Sequence, residues 1–184
     1  MQNPRYALVA YVRSPVGEFV EKLRRELHPA SPHLGAHVTV LPPRRLHGSE
    51  QQALELLEEA CSTIDPFDIE LGDVETFIPV TPTIFICVAR TAYRLRELHD
   101  QLDRQPLQAS EEWPYMPHLT IAKMGSLEEA QAAYAMAQAR WKEFTGTRRV
   151  HVEELTFVRE KEDACWVDLA PVPLRRILVP HGGS

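Results

Sequence analysis

Two tetrapeptides, His37-Val38-Thr39-Val40 and His118-Leu119-Thr120-Ile121, repeat one order of imidazole, apolar residue, hydroxyl and apolar residue. In an extended chain successive side chains turn to opposite faces. A strand through either copy therefore sets its histidine and threonine on one face and its apolar residues on the other. The chain needs at least two half-buried strands, each covering a core on one side. Laid side by side, they would hold both imidazoles around one phosphate, with two hydroxyls donating to its non-bridging oxygens. Such a site suits in-line phosphoryl transfer without a metal.

In a chain with 8 histidines, composition alone yields about one His-x-Ser/Thr match by accident, so a single copy carries little weight. A third match, His47-Gly48-Ser49, follows Pro42-Pro43 in a turn-like stretch, and its Ser49 reads as a helix N-cap. His151, between Val150 and Val152, lacks the following hydroxyl and reads as structural.

Runs rich in Val, Ile and Phe predict strands over 6–12, 36–41, 67–71, 74–78, 83–89, 118–123, 149–158 and 165–169. Helical patterns fill 14–27, opened by Ser14-Pro15, and 49–64, opened by Ser49. A third helix is predicted over 91–102 and a fourth over 126–141. Ser126 and Glu129 form the expected capping box of the fourth, each side chain accepting from the other's amide. The Pro-containing stretch 105–117 reads as a long ordered loop that can wall a cleft.

The halves run in parallel. Thr76-Phe77 follows His37 at nearly the distance at which Thr156-Phe157 follows His118, while Ile84 and Cys165 keep equal separations from the two histidines. Each half thus reads as motif strand, capped helix, strand, strand. This faint internal duplication predicts two lobes related by a pseudo-twofold axis, with the motif strands meeting at the centre.

At 184 residues, 44% hydrophobic and 25% charged, the chain reads as one globular domain spanning residues 1–184. No apolar run approaches the roughly 18 residues of a membrane span, and Met1-Gln2-Asn3-Pro4-Arg5 leads into a strand pattern rather than a signal sequence. A cytoplasmic protein is expected. Cys61, Cys87 and Cys165 lie far apart in apolar settings and read as buried small side chains in a reducing compartment. A formal charge of −6 excludes a broad nucleic-acid-coating surface but suits a nucleotide or a short RNA end. His28, His33, His37 and His47 cluster in sequence, yet their spacing matches no metal motif, so no metal site is assigned. Phosphate loops, nucleophile elbows and cysteine-centred motifs are likewise missing.

His37-Val38-Thr39-Val40 and Pro117-His118-Leu119-Thr120-Ile121-Ala122-Lys123 resemble the paired signatures of the two-histidine (2H) phosphoesterase superfamily, in particular its bacterial 2′-5′ RNA ligase and cyclic phosphodiesterase branch. The resemblance implies an α+β, bilobal fold: two pseudo-twofold-related lobes with mainly antiparallel sheets around a central cleft, helices packed outside. It also implies metal-independent opening of 2′,3′-cyclic phosphates with no cofactor, and reversal as 2′-5′ ligation. His118 would then activate water, His37 would protonate the departing ribose oxygen, and Thr39 and Thr120 would hold phosphoryl oxygens.

Around this set, Lys123 stands where relatives carry a basic residue, although strict alternation turns it away from His118 and Thr120 unless the strand ends or bulges. Arg44 and Arg45 can reach a phosphate from a loop, though surface arginines near turns are ordinarily solvated. Tyr115, Phe77 and Trp113 can stack on a base or simply pack. The expected partner is a nucleotide or RNA terminus as substrate, with no membrane and no obligate protein partner. The alternative is a nucleotide-binding sensor module that keeps the cleft without turnover.

Overall fold

A computed structural model of the protein describes residues 4–28, 34–162 and 165–175. Strands β1 (Tyr6–Tyr11), β2 (His37–Arg44), β3 (Phe67–Thr76), β4 (Thr83–Arg90), β5 (His118–Lys123), β6 (Arg149–Val152), β7 (Glu154–Glu160) and β8 (Trp166–Pro173) form one sheet in the order β6-β3-β4-β5-β2-β1-β7-β8. Every neighbouring pair is antiparallel. Four helices, α1 (Pro15–Leu27), α2 (Glu50–Cys61), α3 (Ala92–Leu102) and α4 (Leu127–Glu143), complete the described elements. Among the described residues, no helix is long and apolar enough to cross a membrane.

The two motif strands sit at the centre, β5 ending one half of the sheet and β2 beginning the other. Glu153 alone separates β6, at one edge, from β7, six strand spacings away. In a flat sheet that gap is about 29 Å, and one residue spans only about 3.5 Å. The sheet therefore curls until its two halves face across the central strands. Alternate residues of nearly every strand (Leu8, Val38, Ile69, Ile86, Leu119, Leu155 among them) join the buried helix residues in one core, so the helices cover that face. The opposite face buries a smaller patch, Ala7, Val9 and Val158, together with Phe85, and carries the polar motif residues.

The lobes are not built from consecutive halves of the chain. β3 and β4 of the first half lie with β5 and β6 of the second, and β7 and β8 of the second lie with β1 and β2 of the first, so each lobe takes two strands from each half, with β3 and β7 each third from the centre. β3 and β7 are thus equivalent, as their spacing predicts, whereas β4 and β8 are not: β4 flanks the centre and β8 is an edge. The expected helices hold. Differences from the strand predictions have local causes. The two runs at 67–71 and 74–78 are one strand, β3, with a register shift between Leu71 and Val74. The run 149–158 divides at Glu153. β2 extends through Pro42 and Pro43 because its distal half pairs only with β1, leaving the other flank without need of amide donors. At α4, Ser126 Oγ accepts from Glu129 N as expected, but the Glu129 carboxylate accepts from Gly125 N rather than Ser126 N. Cys61 is buried and Cys87 half-buried, but Cys165 is exposed, contrary to its apolar sequence setting.

Candidate active site

The central strands touch through one residue pair, Val38 opposite Leu119, both fully buried on the helix side. Continuing that antiparallel register by one residue sets His37 across from Thr120 and Thr39 across from His118. Directly opposed residues lie about 5 Å apart at Cα and diagonal ones about 7–8 Å, so both imidazoles and both hydroxyls border one small patch of the open face.

The rings are anchored alike. His37 Nδ1 lies 2.7 Å from Gly35 O and His118 Nδ1 lies 2.7 Å from Met116 O, in each case the carbonyl two residues upstream. A carbonyl only accepts, so each Nδ1 carries the hydrogen and each Nε2 holds a lone pair when the ring is neutral. Among the described residues, neither Nε2 nor either motif hydroxyl has a hydrogen-bond partner. Burial lowers the His37 pKa to about 4, aided by the charges of Arg24 and His118 and opposed by the Gly35 bond and Glu21. Burial also lowers that of His118, against the Met116 bond. Edge contacts from Phe77 and Phe85, with centroids 5.3 and 5.2 Å away, fix the His118 ring. Tyr11 meets His37 edge-on at 6.4 Å.

The depressed His37 value has a consequence for stability. Between pH 6.5 and about 4 the unfolded chain binds a proton at residue 37 that the folded chain does not, so this contribution is complete above pH 6.5 and lost as pH falls toward 4. Denaturant titrations should show wild type losing up to about 1.4 kcal/mol per pH unit more than His37→Ala across that window. Parallel curves would contradict the burial of the ring.

A cleft of about 560 Å³ opens beside three of the motif residues, lined by His37, Thr39, Thr120, Lys123, Arg24 and Trp166 among others but not by His118. Lys123 faces it because β5 bulges: Thr120 pairs with Phe85 and Ala122 with Ile84, leaving Ile121 as the extra residue. Both Ile121 and Ala122 are buried, and Lys123, opposite Thr83, returns to the face of Thr120. The same device occurs on β2, where Val40 is extra between Thr39 and Leu41, but Pro42 follows there instead of a cation.

Among the cleft residues that escaped the sequence reading are Trp166 and Arg24. Trp166 begins an edge strand with weak alternation, and Arg24 lies beside Arg25 in the last turn of a helix, where basic residues are ordinary.

Arg44 does not face the cleft, contrary to expectation. It is 4% exposed, and its guanidinium donates to Asp103 (2.6 Å), Glu111 (2.5 Å) and the carbonyls of Leu107 and Pro42 on the helix-covered side. Arg45 is exposed. Tyr115 is also absent from the cleft lining. Its ring stacks on His99 at 4.2 Å, and its hydroxyl donates to Thr39 O at 2.8 Å, so it supports β2 from behind instead of offering a stacking face. Phe77 does lie beside His118 but is stacked on Phe85 at 4.2 Å, and Trp113 is exposed. The loop before β5 packs beneath Arg44 through Glu111 and supplies the Met116 carbonyl. The described wall of the cleft comes instead from His28 and Leu34. Among the described residues, no group of three or more His, Cys, Asp or Glu side chains is placed to hold a metal ion, and His33 lies outside them.

The model of the 2′-5′ RNA ligase superfamily, a phosphoesterase class, matches residues 12–164, both motifs included. The chain belongs to that superfamily, the 2H phosphoesterases. Two relatives named "Putative phosphoesterase" align with it. BH1439 of Halalkalibacterium halodurans is 30% identical over 125 residues, 67% of this chain and 72% of the relative. Bcer98_0945 of Bacillus cytotoxicus is 26% identical over 162 residues, 86% and 91% of the two chains. The structure of E. coli LigT complexed with NADP+ superposes with a TM-score of 0.66 at 16% identity, covering 95% of this chain and all of that one, a likeness of fold.

Proposed function

We propose that the protein is a metal-independent phosphodiesterase that opens 2′,3′-cyclic phosphates of nucleotides or RNA ends to 2′-phosphates. The observation that carries this reading is the matched anchoring of His37 and His118 through Nδ1, which leaves two Nε2 atoms directed to one face of adjacent strands. Following the family resemblance, His118 Nε2 takes a proton from water as the water oxygen attacks phosphorus. The bond from phosphorus to the 3′-oxygen breaks, and His37 Nε2–H gives its proton to that oxygen. Thr39 and Thr120 donate to the non-bridging oxygens, and the Lys123 ammonium offsets their charge. With an RNA 5′-hydroxyl in place of water, the same attack breaks the same bond and forms a 2′-5′ linkage, His118 taking the hydroxyl proton and His37 protonating the 3′-oxygen; cleavage of that linkage exchanges the histidine roles.

Both imidazoles are depressed in the unliganded protein, so the proton on the acid must be held by the arriving anion, whose negative charge favours the imidazolium. A nucleotide as ligand is supported by LigT, solved with ATP and with 3′-AMP. Trp166 and Phe77 offer aromatic surface near the two histidines for a base.

Turnover of cyclic-phosphate mononucleotides and RNA ends, measured in chelator with the product's phosphate position identified, tests the reading. Hydrolysis to a 2′-phosphate unaffected by chelator is expected. Binding without turnover would favour the sensor module, and loss of activity in chelator would restore a metal to the mechanism.

A further inference from the structure

Beyond its single contact at Val38 and Leu119, the seam between β2 and β5 is bridged by side chains. On one side the neutral Tyr115 hydroxyl donates to Thr39 O. On the other a charged group does the equivalent: Arg24 Nη2 donates to Thr120 O at 2.8 Å, Nε to Ile121 O at 3.2 Å, and Nη1 to Leu34 O at 2.8 Å. Consecutive carbonyls of a regular strand point to opposite sides, so one guanidinium can take both Thr120 O and Ile121 O only at the bulge. The arginine is 6% exposed yet lines the cleft. Its helix is held close to β1 by Gly17, where a Cβ would lie 1.8 Å from Val12 O.

We propose that Arg24 is a positioning residue of this active site: by tying the β5 bulge to α1 it sets the facing of Thr120 and Lys123, and it keeps a fixed cation behind His37. The matched motifs thereby become chemically unequal, with an arginine behind one threonine and a tyrosine behind the other. The groups facing His37 are Arg24 and Glu21 from α1, His118 from β5, and Tyr11 from β1. Tyr11 in turn bonds Asp168 of β8 and carries Arg13 over its ring. Arg24 is paired with Glu21 at 3.5 Å, and its charge still opposes protonation of His37.

Because the kinetic part rests on the phosphodiesterase reading, the test has two arms. By NMR, the imidazole of His37 is titrated in wild type, Arg24→Gln and Arg24→Lys. Loss of the charge should move its titration up by roughly half a pH unit or more, with Arg24→Lys close to wild type. In kinetics, the limb of kcat/KM governed by His37 should move up likewise in Arg24→Gln. Arg24→Lys should keep the limb but lose roughly tenfold in kcat, since an ammonium cannot span three carbonyls in the guanidinium's geometry. A folded Arg24→Gln with an unmoved His37, or Arg24→Lys with wild-type kcat, would overturn the proposal. Failure of both variants to fold would assign Arg24 to the fold alone and overturn it too. Absence of turnover in wild type would instead refute the phosphodiesterase reading, leaving the NMR arm to decide Arg24.

Discussion

Replacing His118 with alanine is expected to lower kcat on a 2′,3′-cyclic phosphate by about 10²–10⁴, and His37→Ala by a similar factor, with the double variant little worse than either. A positioned acid or base acts only in concert with its partner, so the losses do not add. The leaving group separates the roles. A nitrophenyl phosphodiester departs without a proton, so loss of the general acid should cost far less on it than on the ribose substrate, whereas loss of the base should cost the same on both. His37 as acid predicts that His37→Ala recovers on the nitrophenyl substrate and His118→Ala does not. Thr39→Val and Thr120→Val remove one neutral donor each and should cost roughly tenfold. Full activity in either histidine variant would end the paired-histidine mechanism.

Arg44→Met is expected to destabilise the protein by about 3 kcal/mol while leaving kcat and KM per folded molecule unchanged. The substitution removes the buried guanidinium that joins two carboxylates, leaving Asp103 with the Ala109 amide and Glu111 with His99. Both carboxylates are partly solvated, with 26% and 20% of their side chains exposed, which holds the cost at the lower end of that for breaking a buried pair. In a chain of 184 residues the loss corresponds to a fall in Tm of about 6–12 °C. An unchanged Tm with a raised KM would return Arg44 to the phosphate. The pair of outcomes separates an arginine that builds the site's frame from one that binds substrate, a distinction that position after the first motif does not make.

Much of the frame follows from local rules. Alternation at residues 37–40 and 118–121 places both strands and the faces of their side chains, and Pro15, Ser49 and Ser126 mark helix starts because capping chemistry acts within one turn. Arg44 is different. Its sequence neighbours are prolines and another arginine, and only the return of residues 103–111 beneath β2 supplies the carboxylates that bury it. Tyr115 is captured in the same way by His99 and by the Thr39 carbonyl, both distant along the chain.

By itself, then, the chain's order of residues determined that two imidazole-hydroxyl pairs lie on strand faces, that four helices form between the strands, and that the halves are related. These outcomes depend on periodicity and capping, interactions a few residues in range. Tertiary structure alone decided that each lobe draws two strands from each half of the chain, that a bulge after Thr120 turns Lys123 into the cleft, and that Arg24 and Trp166 line it. Each of these depends on which unsatisfied carbonyl or apolar surface is met across the sheet, and such partners are chosen by the packing of segments far apart in sequence.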